Sequence, residues 1–364
     1  MKKKLKDICT GYTKNIAQKE LDDLNGDYEI FGASGLIKKI DYYISEVPYI
    51  GIVKDGSGVG RVNSYPAKSS LIGTMQYIVP NNDVDLQFLM YGLRSLNLGN
   101  LYRGAAIPHI YFKEYKEFEL NVPSKEEQQK IAAELDTIQS AIDNKKQQLS
   151  LLDEAVKSEF VEMFGENPVE SGKWKVEKLE TLGSLKNGMN FSPSESGIDL
   201  FCVNVSDFQD FYKIEDCKKL SVISLNTLPA DDYFLCNEDI VFVRSNGNKK
   251  LVGRCIAVYP NNLKVTFSGF CIRFRKEKTE ITTDFLLHFL KTDIAREKIK
   301  GKGANIQNLN QQILNNVDIP VPPIDLQNQF AAFVHQIDKS KFVVKQQIAD
   351  LQELLDSKMD EYFG

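Results

Sequence analysis

Apolar side chains recur at 131, 135, 138, 142, 149, 152, 156 and 163, and again at 330, 334, 337, 344, 348, 351, 355 and 362. Steps of three and four that average a heptad predict two amphipathic helices, each with one apolar seam. Lys145 interrupts the first seam and Lys341 the second. The ends are readable too. Pro123 and Pro322-Pro323 stop the strand-like runs before them, Ser124 and Glu127 have capping-box spacing, and each helix closes on Phe-Gly, at 164–165 and 363–364. A helix of about 40 residues is about 60 Å long. A stripe of that length needs a partner, and the matching stripe in the same chain is one. A roughly antiparallel pair with a globular domain towards each end is therefore expected.

The two helices are one motif used twice. A displacement of 199 positions brings Gly104-Ala105 onto Gly303-Ala304, Val122-Pro123 onto Val321-Pro322, Gln128 onto Gln327, Ala132-Ala133 onto Ala331-Ala332, Lys146-Gln147-Gln148 onto Lys345-Gln346-Gln347, and Phe164-Gly165 onto Phe363-Gly364. One ungapped offset over about sixty residues marks an internal duplication. Upstream the match continues with drift. Ile52-Val53-Lys54 meets Phe242-Val243-Arg244 at 190, Val59-Gly60-Arg61 meets Val252-Gly253-Arg254 at 193, Gly73 meets Gly269 at 196, and Gln87-Phe88-Leu89 meets Asp284-Phe285-Leu286 at 197. Loops that lengthen between retained elements produce such a climb. The chain thus reads as a domain at 1–122, a helix at 123–165, a second domain at 166–320 and a second helix at 321–364. The class is α+β with pseudo-two-fold symmetry: two mixed α/β globular domains separated by two long antiparallel coiled-coil helices. Domain one opens on KKKLKDI against WKVEKLETLGSLKNG in domain two, so its first strand is expected to be the shorter.

Composition narrows the class. At 364 residues, 42% hydrophobic and 26% charged, the chain is of ordinary globular type. No apolar run reaches the roughly 18 residues of a membrane span, and the basic start MKKKLKDICTGYTK lacks the apolar core of a secretory signal. Cysteines at 9, 202, 217, 236, 255 and 271 form no CxxC pair, a pattern of scattered buried thiols in a reducing cytoplasm. A net charge of −5 argues against indiscriminate coating of nucleic acid but permits a local basic groove.

Such a groove is suggested at matching places in the two halves. In domain one, strand-like YIGIV and SLIGTMQYIV flank the turn Asp55-Gly56-Ser57-Gly58, which needs positive φ. In domain two the turn is Asn246-Gly247, with Arg244, Lys249, Lys250 and Arg254 around it and no acid among them. A second basic cluster, Arg94 and Arg103 in one half and Arg296, Lys298, Lys300 and Lys302 in the other, precedes Gly104 and Gly303. Lys and backbone N–H groups in such loops hold phosphates, while Arg and Asn also read base edges. A solvated hairpin tip explains one such loop; the recurrence in both halves points to nucleic acid.

Enzyme signatures are missing. GSGVGR at 56–61 has Arg61 where a dinucleotide fingerprint needs glycine, and a strand is expected after it rather than a helix. There is no phosphate-binding G-x-x-x-x-G-K-[ST], and no N-P-P-[FY]; Asn167-Pro168-Val169 only begins like one. His109, His288 and His335 are isolated, which leaves metal and triad arrangements without support. No catalytic residue, metal ligand or cofactor is assigned.

With YEIFGASGLI (28–37), DGSGVGRVNSYPAKSSLIGTM (55–75), RSNGNKKLVGR (244–254), TFSGFCIRFR (266–275) and the two Val-Pro helix starts in this order, the chain resembles the DNA-specificity subunit of type I restriction–modification enzymes over its whole length. The resemblance implies two target-recognition domains that each read half of a split, asymmetric site in double-stranded DNA. It implies helices that space them and dock two methyltransferase subunits, motor-nuclease subunits that join this core, and no catalysis in the chain itself. DNA contacts are then expected at Lys54, Ser57, Arg61, Arg103, Arg244, Asn246, Asn248, Lys249, Lys250 and Arg254. Two other readings are a coiled-coil adaptor whose globular ends bind proteins, and the specificity chain of a related enzyme with methylase and nuclease on one polypeptide.

Overall fold

The computed structural model describes residues 1–101, 108–208, 213–300 and 308–364, the side chain of residue 300 excepted. It divides into two compact units, 1–150 with 342–364, and 151–341. Each unit therefore holds one globular domain and part of each long helix.

In the first unit an antiparallel sheet runs in the order Cys9–Tyr12, Met75–Pro80, Tyr49–Val53, Val62–Tyr65. A smaller sheet joins Gly35–Ile40, Tyr28–Gly32 and Ser70–Leu71, the last pair parallel. The helix Leu86–Ser95 is capped by Asp85, whose carboxylate accepts from the N–H groups of Gln87 and Phe88, both at 3.0 Å. Its Phe88 and Leu89 enter a core with Ile50, Ile52 and Ile78.

The second unit repeats the plan. Gly183–Asn187, Cys271–Lys276, Asp239–Val243 and Cys255–Val258 follow one another in the same order, and Lys213–Ile214 adds a fifth, parallel strand. The small sheet is Ser221–Leu225, Ile198–Val203, Val265–Phe267, again with one parallel pair. The helix Thr283–Lys291 is capped by Thr282, which accepts from Phe285 N–H at 3.2 Å. Each domain also closes on itself through a two-stranded ribbon, Lys2–Lys4 with Glu119–Asn121 and Lys175–Lys178 with Asp318–Val321. The first ribbon strand of domain one is the shorter, by three residues to four.

The long helices span Lys125–Phe164 and Ile324–Phe363. Ser124 Oγ accepts Glu127 N–H at 3.3 Å, and Gly165 takes φ +96° in a C-cap that only glycine adopts without strain. The seam has two stretches. Within the first unit Ile131, Leu135, Ile138 and Ile142 pack in one core with Ile348, Leu351, Leu355 and Met359. Glu134 meets Tyr362 at 2.7 Å and Lys358 at 3.2 Å. Within the second unit Phe160 and Phe164 pack on Phe330, while Asp153 pairs with Lys341. Numbers rise on one helix as they fall on the other, so the pair is antiparallel there. The seam residue expected at 163 is only part-buried; Phe160 and Phe164 carry the contact. The Lys341 that breaks the pattern makes an ion pair between the helices.

Five cysteines are buried, but Cys236 is exposed, which departs from the expectation of six buried thiols. Among the described residues no helix is long and apolar enough to cross a membrane.

Candidate nucleic-acid interface

The basic loops lie at one topological place in each domain, after the central strand Tyr49–Val53 or Asp239–Val243. The backbone closes them alike. Gly60 N–H donates to Val53 O and Gly253 N–H to Val243 O, both at 2.8 Å. Val53 N–H returns to Arg61 O at 3.0 Å and Val243 N–H to Arg254 O at 2.9 Å. Arg61 N–H donates to Gly58 O at 3.1 Å and Arg254 N–H to Leu251 O at 3.0 Å. The incoming segments match as well: Ile110 N–H donates to Lys54 O at 2.9 Å, and Leu309 N–H to Arg244 O at 2.8 Å. The bridges Asp55 to His109 and Ser245 to Asn308 complete the correspondence. The loop is one scaffold carrying two sets of side chains.

Its turns are made by different chemistry. In domain one Gly56, Gly58 and Gly60 sit at φ +84°, +91° and +83°, as the sequence predicts for Asp55-Gly56-Ser57-Gly58. In domain two neither Asn246 nor Gly247 takes a left-handed φ; among the described loop residues that conformation falls at Gly253, +75°. Two successive side-chain turns do the work there. Asn246 Oδ1 accepts Asn248 N–H at 2.8 Å, and Asn248 Oδ1 accepts Lys250 N–H at 3.1 Å.

The candidate contacts then separate by their surroundings. Ser57 and Arg61 are exposed, and Arg61 Nη1 donates to Ala33 O at 3.1 Å. Asn248, Lys249, Lys250 and Arg254 are exposed, with Arg254 Nη1 3.4 Å from Phe208 O. Asn246 and Arg244 are part-buried, and Arg244 Nη1 reaches Gly269 O at 3.3 Å. Lys54 is only 8% exposed; its ammonium pairs with Asp55 at 2.8 Å and lies 5.5 Å from the centre of the Tyr111 ring. Arg103 lies outside the described residues, as do Gly104, Lys302 and Gly303 and the side chain of Lys300.

The second basic cluster partly turns inward. Arg94 donates to Val62 O at 3.0 Å and to Asn63 Oδ1 at 3.1 Å, bracing the strand that follows the loop; burial lowers its pKa. Arg296 Nη2 donates to Val252 O at 3.1 Å beside the domain-two loop, and burial lowers its pKa too. Lys291 stands where domain one has Arg94, and burial pushes its amine down to about 8. Lys298 is exposed. In the first unit a cavity of about 680 Å³ lies between the loop and the central helix, lined by Arg61, Asn63, Arg94 and Asn97 on one side and Gln139 and Asp143 on the other.

Two polar residues escaped the sequence reading as site features. Gln128 and Gln327, at the start of the long helices, are buried and tie each helix to its domain. Their coincidence at offset 199 was the available signal. A cluster at Gln76, Tyr111 and Lys113 gave none, because its members are far apart in sequence.

A family model for the type I restriction modification DNA specificity domain matches residues 1–154 and 172–353. The chain is 24% identical over 269 residues to the type I restriction enzyme StySPI specificity subunit of Salmonella potsdam, a match covering 69% of this chain and 57% of that protein. It is 34% identical over 110 residues to the EcoKI specificity subunit of Escherichia coli K12, covering 29% and 23%. These matches thus span less than two thirds of either relative's length. A crystal structure of the S subunit of a type I restriction-modification system from M. genitalium superposes with a TM-score of 0.56 at 18% identity, covering 100% of this chain and 96% of that one, a likeness of fold.

Proposed function

This chain belongs to the family of the type I restriction modification DNA specificity domain, and from that premise we propose that it is the non-catalytic, sequence-specific DNA-binding subunit of a type I restriction–modification complex. It reads a bipartite, asymmetric site in double-stranded DNA and carries two methyltransferase subunits and the motor-nuclease subunits. The observation that supports this reading best is the duplicated loop: one backbone scaffold in both domains, with exposed Arg61 in one and Asn248, Lys249, Lys250 and Arg254 in the other. A shared scaffold aims both loops alike, and unlike side chains let the half-sites differ. Arg and Asn supply paired donors and acceptors to base edges, Lys a point charge to phosphate. The paired Lys54–Asp55 makes Lys54 the least available of the proposed contacts.

The repeated helices fit two copies of one partner, since a pseudo-symmetric chain offers two near-equivalent surfaces. The test reconstitutes the chain with its methyltransferase and sequences the methylated DNA. A split motif that changes when domain-two loop residues are exchanged supports the reading. Methylation that ignores the chain, together with no shift of duplex DNA in its presence, favours a protein-binding adaptor instead.

A further inference from the structure

In the first unit a second cavity, of about 440 Å³, opens beside the strand edge at Gly11, with Tyr12, Gln76, Tyr111, Phe112, Lys113 and Lys116 in its wall. Gln76 is 1% exposed, and among the described residues its Nε2 finds no hydrogen-bond acceptor. A buried amide left so is costly. The duplication shows that the fold does not demand it: Gln76 pairs with Ile52 across the sheet as Ile272 pairs with Phe242, and Ile272 is a fully buried aliphatic. Gly11 differs from its counterpart in the same way. It faces Ile78 where domain two sets Leu185 against Phe274, and a Cβ on Gly11 would stand 2.5 Å from the Phe112 ring. Where domain two has two apolar side chains, domain one thus has a ring laid over a glycine and an amide beside it.

The surroundings say what such an amide would serve. The Tyr111 ring has the ammonium groups of Lys54 and Lys113 each 5.5 Å from its centre. Lys113 and Lys116, three residues apart at the helical turn Phe112–Tyr115, bring positive charge to the same wall. Flat rings, one buried N–H donor and two cations fit a flat, acceptor-bearing group with an anion attached. We propose that this cavity is a nucleotide site: a base lies against the rings, its carbonyl accepts from Gln76 Nε2, and its phosphate meets Lys113 and Lys116. The nucleotide is either free or part of a strand, and only the second case rests on the DNA reading above.

The experiment uses the full chain in two arms. Saturation-transfer NMR with the four deoxynucleoside 5′-monophosphates tests the free source, and photo-cross-linking of 5-iodouracil-substituted duplexes, mapped by mass spectrometry, tests the strand. Base-proton transfer, or cross-links at Tyr12, Tyr111 or Phe112, is the expected result. Gln76→Leu should weaken binding about tenfold or reduce cross-linking correspondingly, with a melting temperature no lower than that of the parent. Silence in both arms, undiminished binding in Gln76→Leu, or a lowered melting temperature overturns the proposal, the last because it would make the amide structural. DNA shifted in a gel with both arms silent removes the pocket and keeps the DNA reading; nucleotide binding without any gel shift does the reverse.

Discussion

The side-chain carbonyl of Gln128 accepts the backbone N–H of Asp85 at 2.8 Å, and Gln327 does the same for Thr282 at the same distance. Each donor residue, Asp85 or Thr282, is the N-cap of its domain's helix. The amides finish the clamp: Gln128 Nε2 donates to Asp83 O and Pro123 O, and Gln327 Nε2 to Glu280 O and Pro322 O. Three backbone groups, all of them outside the long helix, thus converge on one buried side chain. Gln128→Met keeps the volume and orphans all three, which costs about 2–4 kcal/mol at roughly 1–3 kcal/mol per unsatisfied group less local relaxation. Amide exchange should quicken over 85–89 in Gln128→Met and over 282–286 in Gln327→Met, each in its own unit. Unchanged protection in both variants would refute the clamp.

The loop glycines should rank by what a Cβ would meet. At Gly56, φ +84°, nothing lies within 4 Å, so alanine pays only for its conformation, about 1–2 kcal/mol. At Gly253 the added carbon would stand 2.6 Å from Ile299 Cγ2, a side-chain atom that can shift. At Gly60 it would stand 2.1 Å from Gly99 N, and backbone cannot give way cheaply; roughly 3 kcal/mol or more is expected there. Chemical denaturation of the three alanine variants should give the order Gly56, Gly253, Gly60 from mildest to worst.

Much of this was legible because duplication turns one sequence into two samples of one fold. The drifting offset 190 to 197 located the equivalent strands and loops, and the hydrogen bonds of Gly60 and Gly253 bear the pairing out. Seam residues such as Leu135 and Val334 were readable from heptad spacing. Physical ambiguity accounts for what escaped. Asn-Gly signals a positive-φ turn, yet an Asn side chain can close a turn by accepting an N–H itself, as Asn246 does. Short parallel pairs such as Tyr28–Gly32 with Ser70–Leu71 join segments about 40 residues apart and leave no local periodicity. Arg94 and Arg296 read as surface charge, since nothing in a sequence says that a guanidinium folds back to a carbonyl.

Arg254 and Lys250 share an exposed loop but should fail differently. A guanidinium at a base edge discriminates, so Arg254→Ala should relax one position of the methylated motif, at about 1–3 kcal/mol for the lost contact. An ammonium at a phosphate does not, so Lys250→Ala should weaken all duplexes alike and lower the slope of log K against log salt by about one. Binding selections at several salt concentrations separate the two. Identical behaviour of the variants would reject the division of labour between the side chains.

His288 makes the second unit acid-sensitive. Its ring is buried, 5.2 Å from Phe330 in an edge-on contact. Burial pushes its pKa down from 6.5 to about 3, and the cations Lys291, Lys213 and Lys341 add to the shift. Folded His288 is therefore neutral at a pH where the unfolded residue already binds a proton. Stability from this residue is complete above 6.5 and is lost as pH falls towards about 3, at close to 1.4 kcal/mol per pH unit in mid-window. His288→Phe keeps a ring against Phe330 and removes the titration, so the difference in stability between variant and parent should grow in the variant's favour from pH 6.5 to 4. Denaturant unfolding followed by the fluorescence of Trp174, which lies in the same unit, reads it directly. Parallel pH profiles for the two proteins would show that His288 does not set the acid limit.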